Sequence, residues 1–242
     1  MNQDKRLTGK IDPARIRHLS VPRADTALLT AYRELGEASG VISDAMDRLG
    51  IPGVIGASTL VPTLTGKVMV GTALTVRNAL QRGNEYEAAR AVVNKMAEFE
   101  AHNLAQVDDV LVIQGVEGIS NMGGISAQLG QRHGEVGAIV MGGVRDVAHS
   151  RSLGYPVWAS EITPRTGKWR IETVEINGDV DIAGVRVSCG DIVFADDTGV
   201  CFIPTARAQE ILAMAQKTVA DEKRKCAAVD AGVHIADLPK SD

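Results

Sequence analysis

The sequence predicts an α/β protein that folds as one compact domain around a mixed central sheet. Two successive strand–loop–helix units in the middle of the chain favour parallel strands, because each helix returns the chain to the same end of the sheet. Both strands, Val110–Ile113 and Val136–Met141, are apolar throughout, as expected for strands that are covered on both faces. After residue 170 short strands predominate, which predicts a β-rich second half.

The first half of the chain begins with a charged, proline-containing segment and continues with helices and one strand. Helices are predicted over 26–37 and 41–49, and a strand over 67–76, where Val, Thr and Leu predominate. Residues 85–103 are predicted to form one amphipathic helix. Its apolar stripe consists of Ala88, Val92, Val93, Met96 and Phe99.

The second half supplies two loops, a helix and then the short strands. A helix over 125–134 is expected to end at Gly134, and another runs to about Leu153. Asn177-Gly178 predicts a hairpin between the first two of the late strands. These strands are predicted over 171–176, 180–188, 191–195 and 199–203, and a last helix over 205–231.

The composition excludes several classes of protein. Hydrophobic residues make up 45% of the 242 residues and the net charge is −4, which is typical of a folded protein without a basic nucleic-acid surface. Aromatic residues are only 3%, too few for base-stacking platforms. We find no signal peptide and no run of about 20 apolar residues, so we expect a cytoplasmic protein without a membrane span.

The two glycine-rich loops, 114–124 and 142–147, are the places where we expect a ligand. Both follow the carboxyl ends of predicted parallel strands, where α/β proteins collect their ligands. Glycine lets backbone amides approach a ligand closely. The helix that begins after the first loop offers unpaired N–H groups and a positive dipole end, which suit a carboxylate.

Arg145 and Asp146 are the candidate catalytic residues of the second loop. Arginine binds a carboxylate through two parallel hydrogen bonds, and aspartate is an oxygen ligand for Mg²⁺ or Mn²⁺. Together they suit a 2-oxo acid. The structural alternative is an ion pair at a helix start, with Asp146 as the N-terminal cap.

Other catalytic arrangements lack support in the sequence. We find no GXSXG motif, no Rossmann glycine motif and no Walker loop. The five histidines lack metal-binding spacing and are expected at the surface or at helix ends. Lys168 is a possible Schiff-base lysine, although its polar neighbours favour an exposed loop. Asp196-Asp197 is predicted to be a turn.

Four segments of the sequence carry a resemblance to a known family. They are ISDAMDRLGI (42–51), DVLVIQG (109–115), SNMGGISAQLGQRHGEVGAIVMGGVRDV (120–147) and GDIVFADDTGVCFIP (190–204). Together they resemble the RraA-like family, over roughly residues 25–220. This family includes 4-hydroxy-4-methyl-2-oxoglutarate/4-carboxy-4-hydroxy-2-oxoadipate aldolases and a regulator of ribonuclease E. The resemblance implies an RraA-like swivelling-domain fold, a compact domain with a layered α/β/β(α) sheet core.

The resemblance also implies a site and a reaction. Arg145 would bind the pyruvyl part of the substrate, Asp146 would hold Mg²⁺ or Mn²⁺, and the loop that contains Met122, Gly123, Gly124 and Ile125 would bind the substrate carboxylate. The implied reaction is a class II aldol cleavage through an enolate, in which water on the metal accepts the proton, or oxaloacetate decarboxylation. Family members form trimers with sites between subunits, so we expect a homotrimer or hexamer.

The chain departs from the family at one position of the site. The family's aldolases share an acidic residue, twenty intervening residues and then Arg-Asp. Counting back from Arg145 across residues 125–144 leads to Gly124. In the family that acid helps to organise water around the metal. Glu117, Asp44 or a residue of a neighbouring subunit are the possible replacements.

These observations lead to a first hypothesis and two alternatives. The first hypothesis is a metal-dependent lyase on a small 2-oxo acid, with residues 1–25 as an arm, 26–220 as the catalytic domain and 221–242 as a helix end and tail. The second is a dehydratase or hydrolase of a sugar acid on the same scaffold. The third is a non-catalytic binding protein that resembles the ribonuclease regulator.

Overall fold

A computed structural model describes residues 6–240 of the chain. The helices are α1 (Thr26–Arg33), α2 (Ser39–Arg48), α3 (Glu85–Arg90), α4 (Glu98–Leu104), α5 (Gly124–His133), α6 (Val147–Ser152) and α7 (Ala208–Asp230). The strands are β1 (Val54–Gly56), β2 (Val61–Pro62), β3 (Met69–Leu80), β4 (Asp109–Gln114), β5 (Ser120–Met122), β6 (Gly137–Val144), β7 (Val157–Ile162), β8 (Ile171–Ile176), β9 (Val180–Ile182), β10 (Val185–Val187), β11 (Ile192–Ala195) and β12 (Gly199–Ile203).

The central sheet is mixed, as the sequence predicts. Its middle consists of β3, β4, β6 and β7, which run parallel side by side. On one side β11, β12 and β1 continue the sheet in antiparallel fashion, and on the other side β2 pairs antiparallel with β7. The predicted parallel pairing of the two mid-chain strands, β4 and β6, is confirmed.

The core is divided between the two faces of this sheet. Leu111 and Ile113 of β4 share one cluster with residues of α4 and α5, whereas Val110 and Val112 share another with Trp158 and residues of β9 and β10. This alternation is the period of two of a strand that is covered on both faces. A third cluster joins α1, α2 and α7 to β11 and β12. The layers agree with the predicted α/β/β(α) core.

The prediction of one helix over 85–103 is wrong. The segment forms α3 and α4, and between them Val92 has a positive φ of 54° and is 76% exposed. The amide of Ala97 donates to the hydroxyl of Thr173 (2.9 Å), and Lys95 forms an isolated bridge with Glu172. These bonds to the β8 segment replace helical ones, so tertiary pairing overrides the helical pattern.

The predicted hairpin at Asn177-Gly178 is also wrong. β8, which precedes this turn, pairs antiparallel with β3 in the central sheet, and β9, which follows it, pairs with β10. The observed hairpin turns at Ala183 and Gly184, both with positive φ (52° and 84°). Asn177 does have positive φ (58°), so the residue marks a turn between strands that do not pair with each other.

Two strands near the site were not predicted. β5 lies within the first glycine-rich loop and pairs with β6, and β7 is the fourth parallel strand. The helix ends agree more closely, since α5 ends at Gly134 with a φ of 87° as expected.

Of the predicted arm, residues 1–5 lie outside the described residues, whereas Ile11 and Ile16 are buried against α4 and β8. Within residues 6–240, no helix is long and apolar enough to cross a membrane.

Candidate active site

The two glycine-rich loops meet at the carboxyl ends of β4 and β6. Because β5 pairs with β6, the end of the first loop runs directly beside the second. The amide of Arg145 donates to the carbonyl of Met122 (3.1 Å), and α5 begins two residues after Met122. The structure therefore brings together the loops that the sequence analysis selected separately.

Asp146 has a backbone conformation that directs its side chain towards α5. Its φ is 55°, in the left-handed region, which is costly for a residue with a side chain and recurs at functional sites. Asp146 occupies the N-cap position of α6, but its side chain does not cap that helix. Its Oδ2 instead accepts a hydrogen bond from the Gly124 amide (3.2 Å) and lies 3.5 Å from Arg145 Nε. Of the structural alternative, the ion pair between Arg145 and Asp146 at the helix start is present, whereas the side-chain cap is not.

A cavity of about 250 Å³ opens at this place. Every residue of the predicted site lines it, namely Met122, Gly123, Gly124, Ile125, Arg145 and Asp146. The remaining walls come from the arm, from α4 and its preceding segment, from β5 and α5, and from the loop before β8. They are formed by Lys10, Asn94, Met96, Glu98, Phe99, Ser120, Ser126, Thr166, Gly167 and Lys168. The cavity is of small-molecule size and carries both signs of charge.

Glu98 is the acidic wall residue that the sequence analysis missed. Burial raises the pKa of its carboxyl, whereas a backbone hydrogen bond and the positive charges of Lys168 and Lys10 act in the opposite direction. Glu98 is the first residue of α4, a helix that the sequence pattern merged with α3. Neither Glu117 nor Asp44, the replacements considered from the sequence, lines the cavity.

Position 124, where the resemblance predicts an acidic residue, is crowded. A Cβ atom at Gly124 would lie 3.0 Å from His149 Cδ2 and 3.1 Å from Asp146 Cβ. His149, an exposed residue of α6, therefore occupies the space into which a side chain at position 124 would extend. A Cβ at Gly123 would lie 3.0 Å from Asp146 Oδ2, so both glycines permit the close approach of the two loops.

Asp146 is the residue of the cavity that fits a hard divalent cation. One of its oxygens accepts the single hydrogen bond from Gly124, and the side chain is 52% exposed towards the cavity. Within residues 6–240 there is no group of three His, Cys, Asp or Glu side chains that could surround a metal. Mg²⁺ often takes one or two protein carboxylates and keeps several waters, so a single aspartate is a sufficient anchor.

His102 lies in the last turn of α4, so it is a helix-end residue as predicted, but it is not at the surface. It is 1% exposed and makes two side-chain hydrogen bonds in the interior, to Glu135 and to Ser126.

The prediction of a turn at Asp196-Asp197 is confirmed, because Asp196 accepts hydrogen bonds from the amides of Thr198 and Gly199 (2.9 and 3.3 Å). Lys168 is exposed, as expected, but it stands at the cavity.

The mixed sheet and its cavity define an α/β protein with a small-molecule-sized site between two loops. A family model described as "RraA-like: Aldolase/RraA" matches residues 39–202, and the chain belongs to this family. Protein DlpA of Legionella pneumophila is 33% identical over 182 residues, which cover 75% of this chain. The chain spans only 28% of the length of DlpA.

Another relative and two solved structures are similar over most of their length. A Halalkalibacterium halodurans protein named "Putative 4-hydroxy-4-methyl-2-oxoglutarate aldolase" is 27% identical over 87% of this chain and 92% of its own. RraAS2 of Streptomyces coelicolor, described as an unusual member of the RNase ES inhibitor RraA family, has a TM-score of 0.69 and 28% identity, covering 83% of this chain and 96% of that one. A Pseudomonas syringae protein with a TM-score of 0.72 and 23% identity, covering 88% and 96%, shows the same fold.

Proposed function

We propose that this protein is a divalent-metal-dependent lyase that cleaves a small 2-oxo acid and releases pyruvate. The observation that carries the proposal is the single cavity in which Arg145, Asp146 and the N-terminus of α5 meet. The relative that is named as an aldolase supports this reaction class. The cavity volume of about 250 Å³ suits a small acid rather than a polymer.

Substrate binding relies on the positive groups around the cavity. The guanidinium of Arg145 is two-thirds buried and can hold the carboxylate of the pyruvyl part by two parallel hydrogen bonds. The first turn of α5 adds the positive end of a helix dipole. Lys10 and Lys168 stand on the same wall and attract a second carboxylate.

Asp146 would hold Mg²⁺ or Mn²⁺ beside Arg145. When bound there, the ion supplies Lewis-acid polarisation of the 2-oxo carboxylate unit, which lowers the energy of negative charge on the 2-oxo oxygen. The Gly124 amide and Arg145 keep the carboxylate of Asp146 directed towards the cavity. Arg145 contributes to the same stabilisation, since a cation in a partly dehydrated site interacts strongly with developing charge.

Glu98 is the proton acceptor that we propose in place of the missing acid at position 124. In aldol cleavage, Glu98 takes the proton of the C4 hydroxyl, the C3–C4 bond breaks, and the bonding electrons pass to the pyruvyl part as an enolate. Glu98 then returns the proton to C3, which yields pyruvate. Oxaloacetate decarboxylation releases CO₂ and needs no proton removal from a hydroxyl. A raised pKa suits a group that both takes and returns a proton.

The test measures pyruvate released from oxaloacetate and from 4-hydroxy-4-methyl-2-oxoglutarate, with Mg²⁺ or Mn²⁺ against EDTA, above the metal-only background. We expect turnover that requires the metal and that Arg145→Ala reduces by about 10²-fold or more, the effect of losing a charge-stabilising donor. Asp146→Ala is expected to abolish the metal-dependent part and to leave the fold intact by circular dichroism. A folded protein that binds metal and turns over neither substrate would refute the lyase and direct attention to sugar acids or a protein partner.

A further inference from the structure

A buried chain of hydrogen bonds connects the cavity with the interior beneath α5. Ser126 Oγ lies 2.6 Å from His102 Nε2, and His102 Nδ1 lies 2.8 Å from Glu135 Oε1. The hydroxyl of Tyr155 donates to Glu135 Oε2 (2.8 Å). The side chains of His102 and Glu135 are 1% and 0% exposed, so water does not compete for these bonds. Gly130 leaves the space that the Glu135 carboxylate fills, since a Cβ there would lie 2.4 Å from Oε2.

The carboxylate of Glu135 indicates which groups donate and which accept in this series of hydrogen bonds. A carboxylate only accepts hydrogen bonds, so in the neutral imidazole the proton lies on Nδ1, towards Glu135, and Nε2 carries the lone pair. In this tautomer Nε2 accepts from the Ser126 hydroxyl, and the serine is the donor at the cavity end. Burial raises the pKa of Tyr155, and the neighbouring Glu135 carboxylate raises it further.

Of the residues in this series of hydrogen bonds, Ser126 is the one that lines the cavity. It lies in the first turn of α5 and lines the wall shared with Arg145 and Asp146. A serine hydroxyl that donates to an imidazole, which in turn donates to a carboxylate, is the arrangement that makes serine a nucleophile. The first-turn amides of α5 and the helix dipole favour negative charge at the same place.

From this geometry we propose that Ser126, His102 and Glu135 form a nucleophilic triad that hydrolyses small esters bearing a carboxylate. Arg145 holds the carboxylate, and Ser126 Oγ attacks the ester carbonyl carbon while its proton passes to His102 Nε2. The carbonyl electron pair moves to the oxygen and returns as the ester C–O bond breaks, and His102 gives the proton to the departing alcohol. Water then attacks the acyl-serine and loses a proton to His102. The bond between Ser126 Oγ and the acyl carbon breaks, His102 returns the proton to Ser126 Oγ, and the acid leaves.

This activity needs no metal and does not rest on the proposed lyase. The first test is therefore covalent labelling in EDTA with a small alkyl fluorophosphonate, followed by intact mass and peptide mapping. We expect one adduct, on Ser126, in the wild-type protein and in Ser150→Ala, which removes the hydroxyl of a buried helical serine that donates to the Val147 carbonyl. Ser126→Ala, which deletes one oxygen atom, should take no label.

The role of the base and the choice of ester are tested with two further variants. His102→Gln, checked for an unchanged thermal unfolding profile, should label at least about 10²-fold more slowly. Monomethyl succinate should be hydrolysed at least about tenfold more efficiently than methyl butyrate, and Arg145→Ala should remove that preference, because it removes a charge-assisted hydrogen bond. A folded wild-type protein that takes no label on Ser126, or that labels equally fast after His102→Gln, would overturn the proposal.

Discussion

At the scale of single residues, Glu98 is the group whose surroundings bear most directly on the proposed proton transfer. It is the acid of the cavity wall other than Asp146, and burial raises its pKa. Glu98→Gln should lower kcat for aldol cleavage by about 10²–10⁴-fold, the typical contribution of a positioned base. Oxaloacetate decarboxylation, which needs no proton removal from a hydroxyl, serves as the control and should change far less. Equal losses on both substrates would remove Glu98 from proton transfer.

The pH dependence follows from the same residue. Glu98 accepts a proton only when it is ionised, so its raised pKa shifts the acidic limb of the kcat profile to higher pH than an ordinary glutamate would. In Glu98→Gln any residual cleavage activity should lack that limb. The measurement is kcat across the acidic to neutral range at saturating metal, and an unchanged limb in the variant would assign it to another group.

Glu98 should also affect the stability of the protein, but here the protonated form is the favourable one, whereas the proposed proton transfer needs the ionised form. Its folded-state pKa is above the unfolded value, so the contribution of this group to the free energy of unfolding is complete below the unfolded pKa and falls as pH rises through the folded one. Glu98→Gln should therefore raise the urea midpoint at about pH 8 relative to wild type, and less so at about pH 4. A midpoint that is raised equally at both pH values would contradict the assignment of the buried charge.

Gly124 stands where the resemblance to the family leads us to expect an acidic residue, and His149 lies beside it. Gly124→Asp alone should change pyruvate release little, because its Cβ would lie only 3.0 Å from the His149 ring. Gly124→Asp combined with His149→Ala removes the nearest of the crowding atoms, His149 Cδ2, and should raise the rate of pyruvate release by about tenfold, part of what general acid–base groups contribute. His149→Ala alone is the control, and a double variant no faster than it would show that position 124 has lost its catalytic role.

At the scale of elements, α5 combines a site at its first turn with a buried network at its middle. Gly130 faces Glu135 and Tyr155, and a Cβ there would lie 2.4 Å and 2.8 Å from their oxygens. Gly130→Ala should therefore lower the free energy of unfolding by about 2 kcal/mol, as overpacking does. Gly40→Ala in α2, where a Cβ meets nothing within 4 Å, should raise it by about 0.5 kcal/mol. Chemical denaturation measures the free energy of unfolding of both variants. An unchanged value in Gly130→Ala would contradict the tight packing around Gly130.

At the scale of the whole molecule, the surroundings of the cavity suggest how copies associate. Phe99 and Ile125 line the cavity and are 38% and 68% exposed, although large apolar side chains are usually buried. We propose that they lie at the interface of a homotrimer or hexamer. Ile125→Asp should then reduce the mass measured by light scattering towards the monomer. Val229→Asp, a matched change of an exposed apolar residue on α7, should leave the mass unchanged, and an unaltered mass in both variants would place the interface elsewhere.

The sequence by itself determined the α/β class, the parallel pairing of β4 and β6, and the two glycine-rich loops, the second of which carries Arg145 and Asp146. These features depend on local patterns, namely apolar runs, glycine positions and a helix that ends at Gly134, and local patterns are visible in one chain segment at a time.

Only the tertiary structure decided which distant groups share the cavity. The break between α3 and α4 arises from bonds to the β8 segment, about 75 residues away in sequence, and this break places Glu98 on the cavity wall. The same folding brings His102 of α4 to Ser126 of α5, 24 residues apart. No periodicity in the sequence records such pairings, because they depend on how helices pack across a sheet rather than on the order of residues along it.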